Sequence, residues 1–143
     1  MRHKNLLRMF VLFTECTTYV TLDSVRRSVN FNESVSSCDD KLQRGWYRFS
    51  GAAGNVMPTS CVPTHHCGAH APGWLNGRHP TVHEGKVRRE VCFHWKSCCS
   101  WRNSVLVRNC GEFYVYELSP PLSCDLRYCG NGQGIVNFYM TVI

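Results

Sequence analysis

The sequence has no long apolar run. Its longest uninterrupted stretch of apolar residues is Met9–Phe13, five residues, where about 18–20 are needed for a helix to span a bilayer. No transmembrane helix is expected. Charge is sparse as well: Asp, Glu, Lys and Arg make up 18% of 143 residues against 43% hydrophobic, which excludes a disordered, solvating chain. There is no Cys-x-x-Cys pair, no Gly-x-Ser-x-Gly elbow and no phosphate-cradling glycine loop. Those absences remove the usual signatures of structural zinc, α/β-hydrolase chemistry and nucleotide binding. Basic residues are not gathered: residues 1–50 and 51–143 each hold eight basic and five acidic side chains, and only Arg26-Arg27 and Arg88-Arg89 are basic doublets. A net charge of +6 without a basic stripe is a solubility property, so no nucleic-acid partner is expected.

Cysteine is what the sequence has in quantity. Ten cysteines in a single-domain length of 143 residues is an even number at nearly the density of a disulfide scaffold. Three chemistries compete for them. Zinc would draw on Cys61 to Cys67, His65-His66-Cys67, His79 to His83 and Cys92 to His94, none at the favoured pair spacing, and adjacent Cys98-Cys99 rarely aim both sulfurs at one metal. Cysteine catalysis would pair a thiolate with His65, His66 or His94, but closeness in sequence is weak support without a nucleophile-bearing turn. Disulfides use every cysteine, and an oxidising compartment lets a loop-rich chain gain about 2–4 kcal/mol per bridge. Five bridges are therefore expected, with neither metal nor cofactor nor catalytic residue. The pairing is open from spacing alone, except that Cys98 and Cys99 must take different partners, since a bridge between neighbours strains the backbone.

Along the chain, Met1-Arg2-His3-Lys4 looks like the positive start of a secretory signal, yet Arg8 interrupts the apolar stretch that should follow. A working signal wants about 7–15 apolar residues and a small-residue cleavage site. Residues 1–15 are thus expected to be a leader or incomplete signal-like segment, and the chain a fragment of a larger secreted protein. From Cys38 to Cys129, dense Gly, Pro, Cys and aromatic punctuation favours short strands and ordered loops over helices. Gly45–Phe49 reads as a strand followed by a Gly51–Gly54 turn. Ser104–Arg108 and Glu112–Leu118, joined by Asn109-Cys110-Gly111, read as an antiparallel hairpin with apolar weight on both faces. Residues 84–90 read as a solvated strand or turn. Residues 130–143 begin as a Gly-rich linker and continue as an uncharged, β-prone segment, and are expected to be a non-core tail. The fold class expected is small, disulfide-rich and mainly β, with short antiparallel strands or hairpins and long ordered loops.

The residues Gly45-Trp46-Tyr47-Arg48-Phe49, Met57-Pro58, Cys61-Val62-Pro63, Cys67-Gly68, Ala71-Pro72-Gly73-Trp74-Leu75-Asn76-Gly77-Arg78-His79-Pro80, Glu84-Gly85, Val91-Cys92-Phe93-His94-Trp95, Cys98-Cys99-Ser100-Trp101, Asn109-Cys110-Gly111, Phe113-Tyr114-Val115-Tyr116, Pro120-Pro121 and Leu126-Arg127-Tyr128-Cys129 carry a resemblance. In this order and spacing they resemble the eight- to ten-cysteine domain shared by uromodulin, the pancreatic secretory granule membrane glycoprotein and the liver-specific zona pellucida domain protein. The likeness covers residues 16–129. It implies a secreted or cell-surface module, in relatives flanked by EGF-like and zona pellucida domains that drive polymerisation or membrane anchoring. It also implies the pairing Cys16 to Cys110, Cys38 to Cys124, Cys61 to Cys98, Cys67 to Cys129 and Cys92 to Cys99.

In the mammalian relatives the module is similar to a glycan-bearing decoy for bacterial fimbrial adhesins. Here Asn76-Gly77-Arg78 has Arg where a sequon needs Ser or Thr, and Glu117-Leu118-Ser119 has Glu where relatives place the glycosylated Asn. The remaining sequon is Asn32-Glu33-Ser34, so Asn32 is the expected glycosylation site. Trp46, Tyr47, Trp74, Phe93, Trp95, Trp101, Phe113, Tyr114 and Tyr116 could form a ligand platform, but core packing is the stronger expectation for most of them. The resulting reading is a non-catalytic extracellular recognition or adhesion module, its partner an extracellular glycoprotein or a microbial surface. The alternative is an architectural spacer with no ligand of its own.

Overall fold

Aromatic and β-branched residues at alternate positions need a pleated surface with one face buried, and the chain supplies such positions in seven short runs. The computed structural model describes residues 13–33 and 37–133. Its strands are β1 (Val20–Leu22), β2 (Gly45–Phe49), β3 (Ala71–Asn76), β4 (Val87–Phe93), β5 (Trp101–Asn109), β6 (Tyr114–Leu118) and β7 (Leu126–Tyr128). They form one sheet in the order β1-β2-β6-β5-β4-β3-β7. The four inner pairings are antiparallel, while β1 on β2 and β7 on β3 are parallel. Among the described residues there is no α-helix, only single 3-10 turns. The protein is mainly β, as expected.

The expected hairpin is β5–β6, with Val107 opposite Tyr116 and Asn109 opposite Tyr114. Asn109 Oδ1 accepts from the Gly111 N–H at 2.8 Å, and Cys110 N–H donates to Phe113 O at 2.8 Å, which closes the connection. Charged residues 84–90 run into β4, whose central position in the sheet comes from Val91 and Phe93 on its buried face. β3 was hidden in the sequence by Pro72 and Gly73, residues that usually weaken strands. It is built because Gly73 sits where a Cβ would lie 2.7 Å from the Phe93 ring and 3.0 Å from Arg127 O; only glycine lets β3 pass this close to both neighbours.

One face of the sheet carries the core: Tyr47, Phe49, Leu75, Val91, Phe93, Val105, Val107, Tyr116, Leu118, Leu126 and Tyr128, closed by Ala53 and Met57 from the connection after β2. The opposite face of β2, β6 and β5 is covered by the segment before β1. There Glu15 is buried and bonded to Arg108 (Nε to Oε1, 2.8 Å), while the Arg108 and Arg48 guanidinium carbons lie 3.8 Å and 3.9 Å over the rings of Phe13 and Phe113. Cation–π contact and ion pairing add to the buried Val115 side chain on this second face. At the other end Gly130 N–H donates to Arg27 O (2.9 Å), Asn131 N–H to Val56 O (2.8 Å) and Gly132 N–H to Ala53 O (3.0 Å). The chain therefore stays tied to the core for three residues past Cys129; the expected tail from 134 onward lies outside the described residues.

Candidate functional site

Five disulfides punctuate this sheet. The structure joins Cys16 to Cys110, Cys38 to Cys124, Cys61 to Cys98, Cys67 to Cys129 and Cys92 to Cys99, across sequence separations of 94, 86, 37, 62 and 7. Cys67 and Cys129 are fully buried, whereas Cys98 and Cys124 are exposed. Three of the bridges have a titratable neighbour. His94 lies against Cys61–Cys98, Asp40 against Cys38–Cys124 and Glu90 against Cys92–Cys99. Sulfurs joined to each other are not the thiolates that zinc requires, so these groupings are disulfides with a polar neighbour. Of the other histidines considered for metal, His66 has Nδ1 against Val29 O and His79 is packed into the sheet.

The connection between β4 and β5 is the most constrained loop on the surface. The two strands remain in register out to Phe93 opposite Trp101, and the Cys92–Cys99 bridge closes the loop from inside. The Cys61–Cys98 bridge fastens it to the segment before β3. Trp95 N–H donates to Ser97 O (3.0 Å), Ser97 N–H to Ser100 Oγ (3.0 Å) and Ser100 N–H to Phe93 O (2.9 Å). From β3, Trp74 Nε1–H donates to Cys98 O at 2.8 Å. His94 N–H donates to Pro72 O at 3.1 Å, and His94 Nδ1 stands 2.7 Å from Val62 O. A carbonyl oxygen only accepts, so Nδ1 carries the proton; the same N–H lies 3.4 Å from Cys61 Sγ.

This scaffold presents Trp95, 40% exposed, at the loop tip beside exposed Lys96. The rings of His65 and His70 stand 5.8 Å and 6.3 Å from the Trp95 ring and 5.3 Å from each other. They are brought together by a tight turn in which His65 has φ 64° and its N–H bonds His70 O at 3.1 Å. Trp101, 36% exposed, opens β5 beside the loop. The aromatic set thus divides: Tyr47, Phe93 and Tyr116 belong to the core, Trp74 and Tyr114 pack against it half-buried, and Trp95 and Trp101 are exposed, the members for which the core expectation does not hold. Both lie at the open end of the β4–β5 pair, Trp95 two residues past Phe93 and Trp101 opposite it. A rigid indole flanked by imidazoles offers an apolar platform with hydrogen-bonding edges. Sequence reasoning passed over His70, since no periodicity links it to Trp95.

Two buried polar groups complete the inventory. Arg27 makes a two-point pair with Asp39 (2.9 Å and 2.6 Å), and Asp39 also accepts the Tyr128 N–H at 2.9 Å. Arg127 donates to Cys67 O at 3.1 Å, and its burial, with Arg27 beside it, lowers its pKa to about 10. His79 accepts from Tyr116 at 2.6 Å, for the Tyr116 oxygen already receives the Met57 N–H. Burial first, and Arg89 second, lower the His79 pKa to about 4. Asn32 is exposed, with Ser34 of its sequon outside the described residues; Asn76 and Glu117 lie at solvent-facing positions of β3 and β6 and bond Glu90 and Arg44 instead.

Residues 47–130 match the family model described as a uromodulin-like domain. The chain is 47% identical to the dog pancreatic secretory granule membrane major glycoprotein GP2 over 119 residues, covering 82% of this chain and 23% of that protein. It is 46% identical to mouse uromodulin over 122 residues, 84% of this chain and 19% of that one. With human GP2 the identity is 41% over 121 residues, 83% and 22%. The chain thus spans about a fifth of the length of the curated relatives it matches.

Proposed function

The chain belongs to the uromodulin-like cysteine-rich domain family, and we propose that it is a non-catalytic recognition module of a secreted or surface glycoprotein. The contact point in this reading is the loop between β4 and β5 and the start of β5, with Trp95 flanked by His65 and His70, and Trp101 beside the loop. The observation that carries it is that Trp95 is 40% exposed on a loop held by two disulfides, with Trp101, 36% exposed, at the adjoining start of β5. Exposing large indoles costs solvation free energy, and anchoring them rigidly removes the ordering cost a partner would otherwise meet. The partner is an extracellular glycoprotein or a microbial surface. Residence outside the cytosol is supported by five disulfides and by the name of the GP2 relatives, which places those proteins at a secretory granule membrane. The same proposal includes the disulfide pairing above for the secreted protein, and a glycan on exposed Asn32.

Glycan-array and cell-surface binding by the oxidised protein tests this reading. Saturable binding that falls at least tenfold in Trp95→Ala and Trp101→Ala supports it. Binding to none of the surfaces would instead favour a spacer, and unchanged binding in both variants would move the contact elsewhere. Peptide mapping without reduction tests the pairing, and a mass shift on glycosidase treatment that disappears in Asn32→Gln tests the glycan.

A further inference from the structure

We propose that Cys61–Cys98 is a thiol-exchange site: the one bridge of the five built to be opened by an external thiol, with His94 assisting the departing sulfur. Three features single it out. Cys98 is exposed, which opens its bridge to an external thiolate, whereas Cys67–Cys129 is fully buried, and Cys92–Cys99 and Cys16–Cys110 each join a buried cysteine to a half-buried one. His94 Nδ1–H lies 3.4 Å from Cys61 Sγ, the sulfur that departs when Cys98 is attacked. The polar neighbours of the other two bridges have the opposite sign. Glu90 Oε1 stands 3.5 Å from Cys92 Sγ, its charge partly offset by Arg102 at 3.5 Å, and a carboxylate oxygen of Asp40 lies within 4.8 Å of both sulfurs of Cys38–Cys124. A carboxylate repels an incoming thiolate and disfavours a departing one, while an N–H donor stabilises the negative charge that develops on the leaving sulfur. Cys38–Cys124 therefore remains closed although Cys124, like Cys98, is exposed.

The step balances with a thiol, such as glutathione, as the named reductant. Its thiolate attacks Cys98 Sγ; the bond between Cys98 and Cys61 breaks, and the electron pair leaves with Cys61 Sγ. That thiolate shares the His94 Nδ1–H with Val62 O, then takes a proton from water. A second thiol attacks the mixed disulfide on Cys98, releasing the Cys98 thiol and one oxidised disulfide of the reagent. Two electrons pass from two thiols to one protein disulfide. The consequence is local, because Cys92–Cys99 still closes the base of the loop while its tether to the segment before β3 is lost. This site is independent of what Trp95 binds, so failure of the recognition reading would leave it standing.

Timed exposure of the oxidised 143-residue chain to reduced glutathione, quenched with iodoacetamide and mapped by mass spectrometry, decides the order of opening. Cys61 and Cys98 are expected to be labelled first, at least tenfold faster than Cys38 and Cys124. Earlier or equal labelling of Cys38/Cys124 or Cys92/Cys99 would overturn the proposal. His94→Glu gives this bridge the neighbour the slow ones have and is expected to slow its opening about tenfold. A purely structural role for His94 predicts the reverse, since loss of the bond to Val62 O would loosen the loop and accelerate attack. Asp40→Asn, an exposed and conservative change, keeps the idea testable if the His94 variant does not fold: Cys38–Cys124 should open several-fold faster, and an unchanged rate would refute the electrostatic argument.

Discussion

At the residue scale, the fold keeps His79 neutral over a range of pH in which a solvated imidazole would take up a proton. His79 has a folded pKa of about 4 against an ordinary value of 6.5, because burial and Arg89 disfavour the imidazolium while Tyr116 donates to its free nitrogen. The stabilisation is fully present above pH 6.5 and is lost as pH falls from there toward 4, where the unfolded chain binds a proton the folded one refuses. Since the ring is partly open to solvent, the effect is about 1–2 kcal/mol rather than the whole shift. Urea denaturation midpoints should fall across this interval, and less so in His79→Gln. Asp39 is the other exacting position. Asp39→Ala would leave Arg27 buried without its charge partner and Arg127 in a more positive site, at a cost of about 3–5 kcal/mol. A two-state unfolding curve shifted by less than about 1 kcal/mol would contradict that.

At the scale of elements, β3 shows where local preference and tertiary need diverge. Propensity alone disfavours a strand through Pro72-Gly73, yet β3 lies between β4 and β7 because its backbone must approach Phe93 and Arg127 O closely. Gly73→Ala should cost about 2–3 kcal/mol through overpacking, read as a lowered thermal midpoint with retained disulfides; a neutral effect would mean that Phe93 swings aside freely. β2 and the β5–β6 hairpin were legible from alternation and turn chemistry, since each pattern is contained within its own residues, whereas β4 showed only as a solvated strand or turn over 84–90 because its buried half, Val91–Phe93, follows that charged run. β1 was not legible. Val20–Leu22 is three residues long, and its place beside β2 depends on a partner that is distant in sequence.

For the molecule as a whole, the bridges differ in what they restrain. In the chain-entropy description the Cys67–Cys129 bridge, separation 62, contributes about 4 kcal/mol, and Cys92–Cys99, separation 7, about 2 kcal/mol. The double variants Cys67→Ala/Cys129→Ala and Cys92→Ala/Cys99→Ala should rank in that order in denaturant unfolding. The reverse order would show that loop rigidity around Trp95, and not chain entropy, dominates. The sheet is closed on its second face by the segment before β1, so stability is shared between the hydrocarbon core, the Glu15–Arg108 contact and the covalent ties.

The chemistry of the protein is readable from its residues in a row: cysteine number, sparse charge, short alternating runs and ordered aromatic–cysteine motifs are local quantities that need no partner. They were enough for a mainly β, disulfide-rich fold and for the family. The folded chain alone sets which aromatics leave the core, that His65 and His70 meet Trp95, and which side chain stands beside each disulfide. Those are relations between residues far apart in the chain. Spacing does not encode them, because the left-handed turn at His65 and the close passage of β3 are set only when the whole sheet assembles.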